Sequence, residues 1–284
     1  MPRVLLLGSE GLLGSALKRV FENYYDVVGT SRQTLDVTSP SAVATIVRAV
    51  APEIIINATA YNGVDLTERD QVAYRTAEKV NAHLVAQLAE LSAERKIPLV
   101  HYSTDYVFPG KAGEGYTEEA APQPLNKYGF TKAQGEALLR TNTKYYYLIR
   151  LSRSFGPPGA SPTAKKSFVD LMIEAVAQNG KKKINLVNEE LSCPTYSLDA
   201  AEFTWRLLQD QALYGVYHGA NIGACSWYEL GKQIFALKNL EVNIIPILSR
   251  DYPRAAKRPL FSELINTKRP PQRPWQEALK EYLS

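Results

Sequence analysis

Cysteine is nearly absent from this chain: two in 284 residues, Cys193 and Cys225. They form neither a disulfide framework nor a metal-spaced motif. Histidine is scarce as well, with three, so a histidine-based mechanism has little support. No apolar run approaches the ~18 residues that a membrane helix needs. Repeats and low-complexity tracts are missing. So is an excess of one charge, because 33 Lys and Arg against 29 Asp and Glu leave a net +4. That balance is too mild and dispersed for a nucleic-acid surface, although it remains compatible with a small anionic substrate. Lys165 with Lys166, and the three lysines at 181–183, read as solvated helix or turn positions. Near the amino terminus Arg3 is followed at once by a short strand and a glycine turn, so no signal peptide is expected. The expectation is a soluble cytoplasmic protein with no membrane association and no metal site.

What is present begins with a strand at residues 3–7 followed directly by Gly8-Ser-Glu-Gly11-Leu-Leu-Gly14. Leu13, Leu17, Val20, Phe21 and Tyr24 then recur at helical spacing. Strand, glycine turn and amphipathic helix in that order are the context that a dinucleotide fingerprint requires. The glycines let backbone approach a pyrophosphate on the helix N-terminus, and Gly8, Gly11, Leu12, Leu13 and Gly14 are the candidate contacts. Residues 25–30 read as the second strand. It ends in Thr30-Ser31-Arg32, where an Asp or Glu would signal NAD. Arg32 suits a 2′-phosphate, so NADPH is favoured and NADH is left open. Asp36 and Val37 lie near the expected adenine, and Ser39 with Pro40 reads as a helix start. A buried strand at 54–56 leads into Asn57 and then Ala58, Thr59, Ala60 and Tyr61, where small residues would let backbone lie against the cofactor. A long helical region from about 69 to 96 follows, and Asn81 and His83 within it read as structural.

The stretch that the rest serves is 99–139. An apolar strand ends in Ser103, Thr104 and Asp105; His101 within it reads as a hydrogen-bonded core residue. After a loop comes a helix carrying Tyr128 and Lys132, four apart and so on one face. At 100° per residue Phe130, Ala133 and Ala137 fall opposite, and the expectation is that this apolar side is buried while Tyr128 and Lys132 face a cleft. A phenol is a poor acid near neutrality, its ordinary pKa being ~10. A nearby ammonium lowers it towards the range useful for general acid catalysis. Thr104 would hold a carbonyl against the phenol. Spacing alone is weak, since with 17 tyrosines chance supplies such a pair about once. Tyr228 and Lys232 are a second instance, but Ser226 and Glu229 form a capping box there and no strand ending in hydroxyls precedes them, so that pair reads as structural.

Strand and helix alternate through the first ~150 residues, which argues for an α/β fold, a doubly wound parallel sheet of Rossmann type. The domain expectation is 1–155 for the dinucleotide-binding part, rejoined by about 186–212, and 156–284 mainly for a smaller C-terminal α/β substrate domain. The transition falls at 155–162, rich in glycine and proline. Further on, strands are expected at 184–187, 216–218 and 242–248, with helices at 168–177, from 197 to about 208, and at 227–237.

Taken together, these segments resemble the extended short-chain dehydrogenase/reductases, and within them the dTDP-4-dehydrorhamnose reductase family. The likeness is sharpest in His101-Tyr-Ser-Thr-Asp-Tyr-Val-Phe-Pro-Gly110 and Pro124-Leu-Asn-Lys-Tyr-Gly-Phe-Thr-Lys132. Weaker echoes are Val64-Asp65, Pro194-Thr195, Arg258-Pro259 with Ser262 and Leu264, and Trp275. The resemblance implies Thr104, Tyr128 and Lys132 as the catalytic triad, with Ser103, Tyr128 and Lys132 at the cofactor. It places Thr104, Asp105, Arg153 and Arg258 at the substrate. Arg153 stands where the family usually has a tryptophan beside the sugar, which leaves the particular sugar open. The implied reaction is NADPH-dependent reduction of the C4 ketone of a nucleotide-linked 4-keto-6-deoxyhexose, dTDP-4-dehydrorhamnose or a related deoxysugar of cell-surface polysaccharide. A homodimer is left open. A related dehydratase is disfavoured, because Tyr106 rather than Glu follows Asp105. The alternative is a non-catalytic NADP-binding regulatory subunit, similar to that of methionine adenosyltransferase.

Overall fold

The computed structural model describes residues 1–111, 113–161 and 164–284; Pro162, at the end of the expected transition segment, lies outside them. β1 (Arg3–Leu7) is buried from Val4 onward and sits between two neighbours. It is followed by α1 (Leu12–Phe21), β2 (Asp26–Thr30), α2 (Pro40–Val50) and β3 (Ile54–Asn57). Gly14 lies where α1 passes closest to the turn, and a Cβ there would run into the carbonyl of Gly8. The start of α2 is as expected: Pro40 is its first residue, and Ser39 accepts from the amide of Ala42.

The helical region that follows is not one rod. α3 (Val64–Arg69) ends at Asp70, whose carboxylate accepts from the amide of Val72 and so starts α4 (Gln71–Glu78). A π-helical turn at Lys79–His83 then leads into α5 (Leu84–Arg95). The extra residue in that turn helps to aim Asn81 inwards. β4 (Leu99–Thr104), a 3-10 turn (Asp105–Val107), α6 (Lys127–Asn142) and β5 (Tyr146–Leu151) complete the first half.

The central sheet has the order β2-β1-β3-β4-β5-β9, its last strand being β9 (Gly215–His218). Every pairing is parallel, in the expected doubly wound arrangement. The order reverses between β1 and β3, and ligands of such sheets bind outside the carboxyl ends at that switch point. One face is covered by α1 and α8 (Ser197–Gln209), burying Leu17, Phe21, Ala200, Phe203 and Leu207. The other is covered by α2, α5 and α6, burying Val43, Val47, Leu84, Leu88 and Leu139.

A second core lies under the C-terminal part. There β6 (Ser154–Phe155) pairs with β8 (Thr195–Tyr196), and β7 (Lys183–Val187) pairs with β10 (Asn243–Ile247), both in parallel. α7 (Phe168–Ile173), α9 (Trp227–Leu237) and α10 (Trp275–Leu283) pack on Phe155, Val169, Leu230, Ile234 and Leu279. No helix among the described residues is long and apolar enough to cross a membrane.

Candidate active site

α6 is pinned at its first turn from three sides. Asn126 accepts from the amide of Gly129 (2.8 Å) and donates to the carbonyl of Lys257 (2.8 Å), while the amide of Lys127 donates to Glu68 (2.7 Å). That fixes Tyr128 beside the end of β4, with its phenol next to the Thr104 hydroxyl. Thr104 Oγ1 accepts from the amide of Tyr106 (3.2 Å) and sends its own proton to Asp105 Oδ1 (3.1 Å). One turn further along α6, Lys132 Nζ donates to the carbonyl of Tyr102 (2.6 Å) and lies 3.5 Å from His101 Nε2.

The expected lowering of the phenol is not what this arrangement produces. Burial pushes the Tyr128 phenol up, and the neighbouring Thr104 hydroxyl only partly opposes it. Burial also lowers the Lys132 ammonium to about 8, against the pull of the Glu136 carboxylate. Desolvation disfavours both charged forms and outweighs the attraction between them. Asp105 is raised for the same reason, partly offset by the hydroxyls of Ser262 and Ser192 and by the charge of Arg153.

The inward face of α6 also differs from the expectation. Phe130 is 52% exposed and Ala137 is exposed, whereas Tyr128, Thr131, Lys132, Glu136 and Leu139 are buried. At Gly135 the helix backbone closes on the carbonyl of Asn81, an approach that a Cβ would block. The buried side is polar because each group has a partner elsewhere. Asn81 bonds both the amide and the carbonyl of Tyr61 and donates to Thr131 (3.0 Å). Glu136 takes a bidentate bond from Arg150 (3.0 and 2.7 Å).

The carboxyl ends of β1, β3 and β4 are tied together beside these groups. Ala58 donates its amide to Leu7, Asn57 bonds Thr59 and His101, and Tyr61 is held by Asn81. This brings residues 8–14, 58–61 and 103–104 to one crevice. Gly11 caps α1 without a side-chain bond, leaving its first amides to an anion. The hydroxyls of Thr30 and Ser103 are buried without partners at the ends of β2 and β4. Arg32 is exposed and makes no hydrogen bond or ion pair among the described residues. An open phosphate cradle, unpartnered buried hydroxyls and an uncommitted guanidinium fit a phosphorylated dinucleotide. Asp36 is engaged locally, its carboxylate accepting from Thr38 twice and held below its usual range by those bonds. Val37 packs on the core under α2.

On the substrate side several expected groups are committed to the protein itself. Asp105 is buried, and its Oδ2 accepts from Ser192 (2.8 Å) and Ser262 (2.6 Å). Arg258 forms a bidentate pair with Asp65 (2.6 and 2.5 Å) and donates to the carbonyl of Ala256 (2.6 Å). Arg153 donates to the carbonyls of Cys225 and Glu190 and stacks 4.0 Å over the ring of Trp227. Trp227 and Ser192 escaped sequence reasoning, whereas Asn81 has the structural role expected of it. Neither of those two carried a local signal. His101 is the hydrogen-bonded core residue expected of it, and it also adjoins Lys132. Tyr228 and Lys232 form a cation–π pair behind the expected capping box of α9. A cleft of about 410 Å³ lined by Tyr25, Ile54, Pro98 and Tyr147 opens at the amino ends of the strands, away from these groups. Among the described residues no group of three or more His, Cys, Asp or Glu is placed to hold a metal ion.

A model of the family described as the RmlD substrate binding domain matches residues 2–284. A probable dTDP-4,6-dihydroxy-2-methyloxan-3-one 4-ketoreductase of Streptomyces antibioticus is 35% identical, over 98% of this chain and 94% of its own. A dTDP-4-dehydrorhamnose reductase of Aggregatibacter actinomycetemcomitans is 33% identical, over 99% and 98%. Among solved structures, dTDP-4-dehydrorhamnose reductase from Bacillus anthracis in complex with NADP superimposes with a TM-score of 0.92 at 32% identity, covering 99% of each chain.

Proposed function

The chain belongs to the RmlD substrate binding domain family, that of the dTDP-4-dehydrorhamnose reductases, and from that premise we propose that it reduces the C4 ketone of a dTDP-linked 4-keto-6-deoxyhexose with NADPH. The observation that carries the reading is the placement of Tyr128 beside Thr104 at the end of β4, with Lys132 one helical turn on. When bound, NADPH supplies the hydride that adds to the ketone carbon. Tyr128 gives its phenolic proton to the ketone oxygen as negative charge develops there. Thr104 orients that oxygen by turning its hydroxyl away from Asp105. Lys132 is assigned the nicotinamide ribose, residues 8 and 11–14 the pyrophosphate, and Arg32 the 2′-phosphate. Arg153 and Arg258 are assigned to the sugar-nucleotide side.

The test is incubation with NADPH and a panel of 4-keto nucleotide sugars, with products identified by mass and stereochemistry. Oxidation of NADPH with formation of a 4-hydroxy sugar is expected. Tight NADPH binding without turnover of any ketone would overturn the reading in favour of a regulatory subunit. The same proposal places the enzyme in the cytoplasm and leaves a homodimer open; cell fractionation and sedimentation read these directly.

A further inference from the structure

The side-chain amide of Asn57, at the end of β3, can point only one way. Its Oδ1 accepts from the backbone amide of Thr59 (3.1 Å) and from the Thr59 hydroxyl (2.5 Å). A backbone N–H only donates, so the atom facing it is the amide oxygen. The other end of the amide, Nδ2, then points its protons at His101 Nδ1, 3.2 Å away. A donor in that place requires Nδ1 to carry a lone pair. A neutral imidazole has one N–H, which therefore sits on Nε2. That nitrogen is 3.5 Å from Lys132 Nζ. Lys132 is thus shown an N–H where an ammonium would want an acceptor. As an amine, Lys132 can donate to the carbonyl of Tyr102 (2.6 Å) and turn its lone pair to His101.

We infer that His101 is a positioning residue that carries its proton on Nε2 and presents it to Lys132. It thereby favours the neutral amine in the free protein, and the amine takes a proton from solvent when the cofactor binds. This rests on the assignment of Lys132 to the cofactor. Burial acts on Lys132 in the same direction, to about 8. His101 stays neutral, because burial holds it well below its usual range. The opposing group is Glu136, one turn along α6, whose carboxylate is shared with Arg150 (2.7 Å) and Arg140 (3.6 Å). Tyr128 lies one turn the other way, and β3 and β4 present the uncharged Asn57 and the Tyr102 carbonyl.

The protein supplies its own reference. His218 Nδ1 faces the carbonyl of Ile265 (3.0 Å) and its Nε2 faces Arg150 (3.4 Å), so its proton must lie on Nδ1. Long-range proton–nitrogen correlation spectra of the full chain with 15N-labelled histidine should therefore show His218 as the Nδ1–H tautomer and His101 as Nε2–H. Finding Nδ1–H at His101 overturns the inference, whatever the protein's activity. Calorimetric titration with NADPH in two buffers of different ionisation enthalpy reads the second half. With Lys132 at about 8, uptake of ~0.7 proton per site is expected at pH ~8.5, falling towards zero at pH ~6.5. Binding without uptake at pH ~8.5 overturns it, whereas failure of NADPH to bind at all would refute the proposed function and leave the tautomer to decide this point. Asn57→Asp places an acceptor against Nδ1. It should switch His101 to Nδ1–H and reduce the uptake, and an unchanged tautomer in that variant also counts against the inference. His101→Gln, which offers Lys132 an amide oxygen, should move the uptake to higher pH by about one unit.

Discussion

The ion pair between Glu136 and Arg150 joins the helix that carries Tyr128 and Lys132 to the middle of the sheet. Both side chains are buried, 1% and 0% exposed. Arg150 NH1 also reaches the carbonyl of Glu118 (3.3 Å) and His218 Nε2 (3.4 Å), and the guanidinium lies 4.9 Å from the ring of Phe108. Glu136→Gln keeps the shape and removes the charge, leaving Arg150 buried and uncompensated. Breaking a buried pair from one side costs ~3–5 kcal/mol. Native stability as a whole is ~5–15 kcal/mol, so the variant should lose about a fifth of it or more. Replacing both partners, Glu136→Leu with Arg150→Met, removes the stranded charge. It should cost less than the single change, about 1–2 kcal/mol, mostly for the bonds lost to Glu118 and His218. Equilibrium unfolding in urea, followed by circular dichroism, measures all the variants of the cycle. A single variant within 1 kcal/mol of the parent, or a double variant as unstable as the single, would refute the claim that this pair is desolvated and coupled.

Tyr128→Phe removes the proposed acid while keeping the ring against Tyr106. kcat should fall by ~10²-fold or more with NADPH affinity nearly unchanged, and an unaltered kcat in steady-state assays would exclude the phenol. Arg32→Ala should raise the KM for NADPH by ~10–100-fold, the worth of a charge-assisted bond, and leave that for NADH alone; equal effects on both would remove Arg32 from the phosphate. Asp65 is held at about 2, first by its hydrogen bond from Arg258, below an unfolded value near 3.9. Its contribution is therefore present above the unfolded value and lost as the pH falls through about 2. Its side chain is 39% exposed, so Asp65→Asn should cost no more than ~1 kcal/mol near pH 6 and nothing near pH 2. A pH-independent difference in denaturant midpoints would contradict this.

The elements that were legible share a local cause. Val4 to Leu7 are uniformly buried, and the helices α1, α2, α8 and α9 repeat apolar residues along one side. In α6 the same counting pointed to the wrong face. Periodicity marks the wetted side of a helix only when the buried side is apolar, and here that side holds Tyr128, Lys132 and Glu136. The break at Asp70 and the π turn at Lys79–His83 were hidden for a related reason. Asp70 reads equally well as a helix interior or a cap, and an inserted residue leaves no compositional mark.

The chain order alone specified a glycine turn between strand and helix, a phenol and an amine four positions apart, and hydroxyls closing a strand, because each depends on neighbours within one or two turns of backbone. The tertiary structure decided their chemical states. Lys132 meets His101 from 31 positions away, Asp105 is bonded by Ser192 and Ser262 from 87 and 157 away, and Arg150 reaches Glu136 across the sheet-helix interface. Desolvation and hydrogen-bond direction exist only once such groups are packed together, and these two effects set the charge of the amine and the destination of each proton.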